Sequence, residues 1–247
     1  MGNFQMKNEH ALPQADVKRS KKPTSAPQGL ATVSESRKQA SVSEKSRQIG
    51  MDRLVFFSDA VMAIAITLLA IDLRLPDVQG GTPGQLGKIL ASMAPQFIAF
   101  IISFLVIGMF WGAHHRIFLY IRHYDRALLW LNLLFLLLVV FMPFPTSVLA
   151  QFGGTAAGVI FYAAVVAAIS LMRAWIWHHA AYHHRLVDEQ LPESLIRFET
   201  MVGLVTAGVF ILSIGLGLIN PLLAEITWVL TAILWFVIRG DLQFERG

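Results

Sequence analysis

"RLVFFSDAVMAIAITLLAIDL", Arg53 to Leu73, decides what kind of molecule this chain can be. A helix of about 20 apolar residues crosses the roughly 30 Å hydrocarbon core of a bilayer, and this stretch has that length and greasiness. Yet it keeps Arg53, Ser58 and Asp59 near its start and almost nothing but aliphatic side chains beyond. An ionisable residue inside a span costs about 2.5–3.5 kcal/mol on insertion scales, so it needs a partner and points by default to function. Asp59 lies about two turns into the expected helix. Its candidate donors are His114 and His115 in "WGAHHR", Asn132 in "LLWLNLL", and the indoles of Trp111 and Trp130. Arg53 is too far round the helix for an ideal i,i+4 pair with Asp59 and is expected to reach a carboxylate or carbonyl on a neighbouring helix. The cluster reads either as an inter-helix lock or as a proton or ion site.

Composition points the same way. Of 247 residues, 55% are hydrophobic and only 15% charged. Soluble domains carry about a quarter charged residues, so the chain is expected to be an all-α, polytopic membrane protein. There is no cysteine, which excludes disulfides, thiolate metal sites and cysteine nucleophiles. The net charge of +4 is no nucleic-acid signal, because the excess gathers in residues 1–49, where nine Lys/Arg face four acids. That tail is rich in Ser, Gln and Ala, too polar for a signal peptide, and reads as disordered and cytoplasmic. Residues 50–247 then form a single transmembrane domain.

Six spans are expected: Asp52 to Leu73, Ile89 to Trp111, Ala127 to Leu149, Gly154 to Trp177, Leu195 to Ile219, and Leu222 to Ile238. Pro143 and Pro145 should end or kink the third, and Asn220–Pro221 is the turn that separates the last two. Arg116, Arg122, Arg126, Arg173, Arg185 and Arg197 cluster at alternate loops, whereas the opposite loops are nearly bare. By the positive-inside rule both termini face the cytoplasm. No Walker loop, dinucleotide-binding turn or nucleophile elbow is present, so an enzyme is not expected.

On the first span, Ile64, Leu68 and Ile71 fall on one helical stripe, which Phe57 and Val61 extend and Thr67 borders. Such a stripe alone means little beyond packing. Asp72 and Asp77 follow it as carboxylates that either attract cations or are ordinary solvated charges. "WIWHHAAYHHR" carries His178, His179, His183 and His184, with His179 and His183 at an i,i+4 spacing that can chelate metal. Interfacial anchoring is the plainer reading, pH sensing is a second one, and no bound metal or cofactor is expected.

The hallmark Arg-x-x-x-Phe-Ser-Asp, here Arg53, Phe57, Ser58 and Asp59, resembles the signature of the transmembrane protein 175 family, the endolysosomal potassium channels and their prokaryotic homologues. Ser103–Phe104, "WGAHHRIF" from Trp111 and "LLWLNLLFLLLVVFMPFPTSVL" from Leu128 extend the likeness from about Met51 to Leu149. Ala60 departs from it, where many prokaryotic members have Gly. The resemblance implies six helices per chain and, for a single set, a homotetramer in the cytoplasmic membrane of a prokaryote. It implies a central pore lined by the first helix, with Ile64 as constriction and Leu68 and Ile71 as further rings. It also implies a polar network of Arg53, Phe57, Ser58, Asp59, His115 or His114, and Asn132.

No "TVGYG" run is present, so a carbonyl-lined filter of the usual kind is excluded. An apolar ring offers no oxygen to replace hydration water; potassium, which sheds water more easily than sodium, would pass such a neck more readily. Thr67 hydroxyls could add partial ligation. The expected activity is a potassium-permeable cation channel whose partners are its own copies, the bilayer and potassium ions, with no nucleic acid. The alternative is a secondary or proton-coupled transporter, which would call for charges near the midplane; spans four and five have no acid or base in their centres, which counts against it.

Overall fold

The computed structural model describes residues 28–76 and 83–229. The chain divides into two units, Met1–Ser43 and Glu44–Gly247. Among the described residues it is all-helical: α1 Gln28–Ile71, α2 Pro83–Ser92, α3 Ala94–Tyr120, α4 Arg126–Phe141, α5 Pro143–Phe152, α6 Ala156–Ala181 and α7 Glu193–Ile219, with a further helical stretch at 221–229. Among the described residues five segments are long and apolar enough to cross a membrane: Glu44–Ile71, Ala94–Tyr120, Arg126–Phe152, Ala156–His184 and Glu193–Ile219. The sixth expected span is described only to 229, and the remainder of it lies outside the described residues.

Three expectations need correction. Residues 28–49, read from sequence as disordered tail, are helical. Their run "SESRKQASVSEKSRQ" intersperses its serines with good helix formers, Glu, Lys, Arg, Gln and Ala. The second span starts at Ala94, not Ile89. Pro95 sits in the first turn of α3, where its missing N–H is no loss. Its ring excludes a continuous helix through Ala91, so residues 83–92 form the separate α2. Finally α6 ends at Ala181, and His183 and His184 both adopt positive φ of 52°.

The third span breaks where the prolines require. Helix α4 ends at Phe141 and α5 starts at Pro143, while Met142 keeps helical angles, so the two halves form one kinked segment. Asp125 caps α4 by accepting from the Leu128 amide at 2.7 Å, and Thr155 caps α6 by accepting from Gly158 N. Asn220 Oδ1 accepts from Leu222 N in the turn before residue 221.

Helix α6 is the hub of the bundle: it packs on α4, α5 and, most extensively, α7. The α7 stripe of Gly203, Ala207, Phe210, Ser213 and Gly217 is buried there. Such small residues let membrane helices approach closely. At Gly203 an added Cβ would lie 2.7 Å from Arg173 Nη2 and 3.1 Å from Ala174 Cβ.

Helix α1 buries one narrow stripe, Met51, Ser58, Met62, Ala65 and Leu69. These recur at spacings of three, four and seven, one helical face. The opposite face, with Phe56, Phe57, Ile64 and Ile71, is exposed in the single chain.

Candidate functional site

The buried stripe of α1 meets α3 and α4 through a chain of hydrogen bonds. Ser58 Oγ donates to the Leu54 carbonyl at 2.9 Å, so a lone pair is left to accept from Asn132 Nδ2, also at 2.9 Å. With its amide nitrogen so committed, Asn132 presents its oxygen to His114 Nε2 at 2.8 Å. His114 must therefore donate from Nε2, which fixes the tautomer. Its Nδ1 is buried without a partner among the described residues. The ring stacks between Phe118, 4.2 Å away between centroids, and Phe135, 5.2 Å away. Ser58, His114 and Asn132 are all fully buried.

One position along α1, Asp59 accepts from Trp111 Nε1 at 2.9 Å. The indole, one of the donors the sequence offered, takes the role of partner. Of the two adjacent histidines it is His114 that joins the network; His115 is exposed and lies beside the Trp111 ring. Arg53, expected to reach a neighbouring helix, is exposed and makes no hydrogen bond or ion pair among the described residues. Phe57 is likewise exposed. The hallmark thus divides into Ser58 and Asp59, which bind α1 to the chain's own helices, and Arg53 and Phe57, which do not.

The exposed face of α1 carries the expected stripe. Ile64 is 57% and Ile71 53% exposed, and Leu68 is partly buried beside them. Thr67 donates its hydroxyl hydrogen to the Ile64 carbonyl at 2.8 Å. With the hydrogen turned into the helix, the oxygen presents only lone pairs to whatever faces it. At the far end Asp72 Oδ2 accepts from Ser147 Oγ of α5 at 2.6 Å. Asp77, the other expected mouth carboxylate, lies outside the described residues.

Two clusters escaped the sequence reading. Glu199 is 1% and Arg173 2% exposed, and Glu199 Oε1 stands 2.7 Å from Arg116 Nε while its Oε2 is 3.7 Å from Arg173 Nη1. Arg116 and Arg173 registered in the sequence only as topology signals. The usable clue was Glu199, a lone acid within an apolar span that demands a cation. The second cluster joins loops at the basic end: Asp125 accepts from His179 Nε2 at 3.0 Å and from Arg185 Nη2 at 3.1 Å. Burial pushes the Asp125 carboxyl up, but the Leu128 amide, His179 and Arg185 together outweigh it and hold the group below the usual carboxylate range. His179 and His183 do not share a helix face, because α6 ends between them, so the i,i+4 chelate that their spacing allowed is not formed. Among the described residues no group of three or more His, Cys, Asp or Glu is placed to hold a metal ion.

Residues 53–143 match the family described as the endosomal/lysosomal potassium channel TMEM175. A potassium channel of Streptomyces collinus is 39% identical over 151 residues, which cover 59% of this chain and 71% of the relative. A potassium channel of Chamaesiphon minutus is 32% identical over 203 residues, 80% of this chain and 98% of the relative. The crystal structure of a lysosomal potassium-selective channel TMEM175 homologue from Chamaesiphon minutus superposes with a TM-score of 0.68 at 30% identity, covering 77% of this chain and 97% of that one.

Proposed function

The chain belongs to the TMEM175 channel family, and on that premise we propose that it is a potassium-permeable cation channel in which four copies place α1 around a shared axis. It is a membrane protein of an ion-channel family and not an enzyme. The observation that carries the pore reading is the division of α1 into two faces. One face is fastened to α3 and α4 by Ser58–Asn132 and Asp59–Trp111. The other offers Phe57, Ile64, Thr67 and Ile71 to something outside the chain. In the proposed assembly that something is the lumen and the α1 helices of neighbouring copies.

Ile64 then forms the neck, with Leu68 and Ile71 as further rings towards the Asp72 end. An ion crossing aliphatic rings keeps part of its hydration shell, and a ring narrow enough dewets and closes. Thr67 oxygens, one turn from the neck, lend partial ligation. Conduction thus discriminates by the ease of partial dehydration, which favours potassium over sodium. The basic end, with Arg116, Arg122 and Arg126, faces the cytoplasm, and Asp72 lies at the outer mouth, where its charge draws in cations.

Purified protein in liposomes should pass potassium down an imposed electrical gradient faster than sodium, without a co-substrate. Ile64→Asn should raise sodium leak and conductance by placing polar groups in the neck. Saturating flux that depends on a co-substrate would instead establish a transporter. Unchanged conductance, selectivity and leak in the Ile64 variant would remove Ile64 from the neck.

A further inference from the structure

Helix α5 makes two polar connections from adjacent positions. The Thr146 and Ser103 hydroxyls lie 2.7 Å apart, Ser103 and Tyr162 3.0 Å apart, and Thr146 Oγ1 is 2.8 Å from the Met142 carbonyl. Ser103 and Tyr162 share one hydrogen bond, and Thr146 divides its single hydrogen between Ser103 Oγ and the Met142 carbonyl. All three side chains are buried, so this chain pins α5 to both α3 and α6. The next residue, Ser147, donates to Asp72 Oδ2 at 2.6 Å.

Asp72 follows Ile71, the last residue of α1. A carboxylate there faces the negative end of the helix dipole, which disfavours an anion and favours a cation. The structure answers with two donors. Ser147 takes up the carboxylate, and Arg74 Nε donates to the Ile71 carbonyl at 3.2 Å. Among the described residues Ser147 is the side chain that Asp72 is bonded to. Further back along α1, Ser58 and Asp59 are held by Asn132 and Trp111; between them and Ile71 the Thr67 hydroxyl turns back on its own helix. The Ile71 end of α1 therefore has one polar fastening to the bundle, and it is made to a helix that is itself locked.

We propose that Ser147 is a positioning residue for conduction: through Asp72 it holds the Ile71 end of α1 against the α5 frame, and breaking that bond frees the ring of Ile71 to widen. The proposal rests on the channel reading. It makes α5, which lines nothing in the proposed pore, the part that sets the resting width of the outermost ring.

The test compares full-length wild type with Ser147→Ala, Ser147→Thr, Asp72→Ala and the double alanine variant in planar bilayers with potassium. Ser147→Ala and Asp72→Ala should each raise open probability by roughly threefold, the ratio that one interhelical hydrogen bond in a membrane bundle sets. The double variant should rise no further than either single one, and Ser147→Thr, which restores the hydroxyl, should return to the wild-type value. Effects that multiply, a threonine that behaves as alanine, or an unchanged open probability would overturn the proposal. A second readout does not need conduction. The chain has no cysteine, so Asp72→Cys with Ser147→Cys gives a clean pair for a short bis-thiol cross-linker read by mass spectrometry. Efficient cross-linking supports the tie. Cross-linking in a protein that passes no potassium would sink the channel reading while leaving the tie intact; no cross-linking in a protein that conducts would sink the tie alone.

Discussion

Asn132 is the residue on which the α1 anchor turns. It donates to Ser58 and accepts from His114, so its removal strands two buried polar groups at once. Asn132→Leu should lower stability by about 1–3 kcal/mol, the desolvation cost of a buried group left unpaired. Ser58→Ala should cost less, because it frees only one amide hydrogen. Thermal unfolding of the detergent-solubilised protein, followed by tryptophan fluorescence, checks both the size and the order. The sequence made this cluster legible because Ser58, Asp59 and Asn132 stand in otherwise apolar spans. It left the choice between His114 and His115 open, since adjacent residues differ by 100° around a helix and the packing of α3 on α4 decides which one points inward. Arg53 was placed in the network by its company in the motif. In the single chain its helix position sends it outward.

At the level of elements, the spans were readable because hydropathy reports burial in lipid, but their ends were not. Ile89 to Ser92 is apolar enough to extend the second span, and only the steric demand of Pro95 separates it as α2. The Pro143 break was legible for the same reason, a proline being visible in sequence wherever it acts. Helix pairing left no such mark. The close approach of α6 and α7 rests on Gly203, Ala207 and Gly217, small residues whose run in the sequence permits close packing without naming the partner helix. Gly203 is the tightest of these where buried charge is at stake, since its missing Cβ makes room for Arg173 beside Glu199. Gly203→Leu should push α7 off α6 and destabilise the protein by about 1–3 kcal/mol, the usual cost of overpacking. Gly208→Leu is the control, because a Cβ at Gly208 meets nothing within 4 Å. Equal losses in the two variants would show that the contact at Arg173 is not what matters.

The assembly is the scale at which sequence is least informative, for a physical reason. A lipid tail and a neighbouring helix are equally apolar, so a residue that faces one reads like a residue that faces the other. Ile64 on α1 and Leu218 on α7 show this: at 57% and 71% exposure both stand clear of their own chain, and hydropathy cannot say which of them meets a second copy. What distinguishes them is the other side of the helix. The rear of α1 is held at Ser58 and Asp59 by polar bonds that fix its rotation and keep Ile64 pointing one way, whereas α7 packs extensively on α6 and is tied by Glu199 to Arg116 and Arg173, so its contacts are made within the chain. A fixed rotation is what a ring of identical side chains around an axis requires. In the cysteine-free background, Ile64→Cys should therefore link neighbouring copies through a short bis-maleimide and give a ladder of dimers to tetramers on a denaturing gel, while Leu218→Cys should remain monomeric. A ladder from Leu218 and none from Ile64 would place the subunit contact on α7 and leave the exposed face of α1 to lipid.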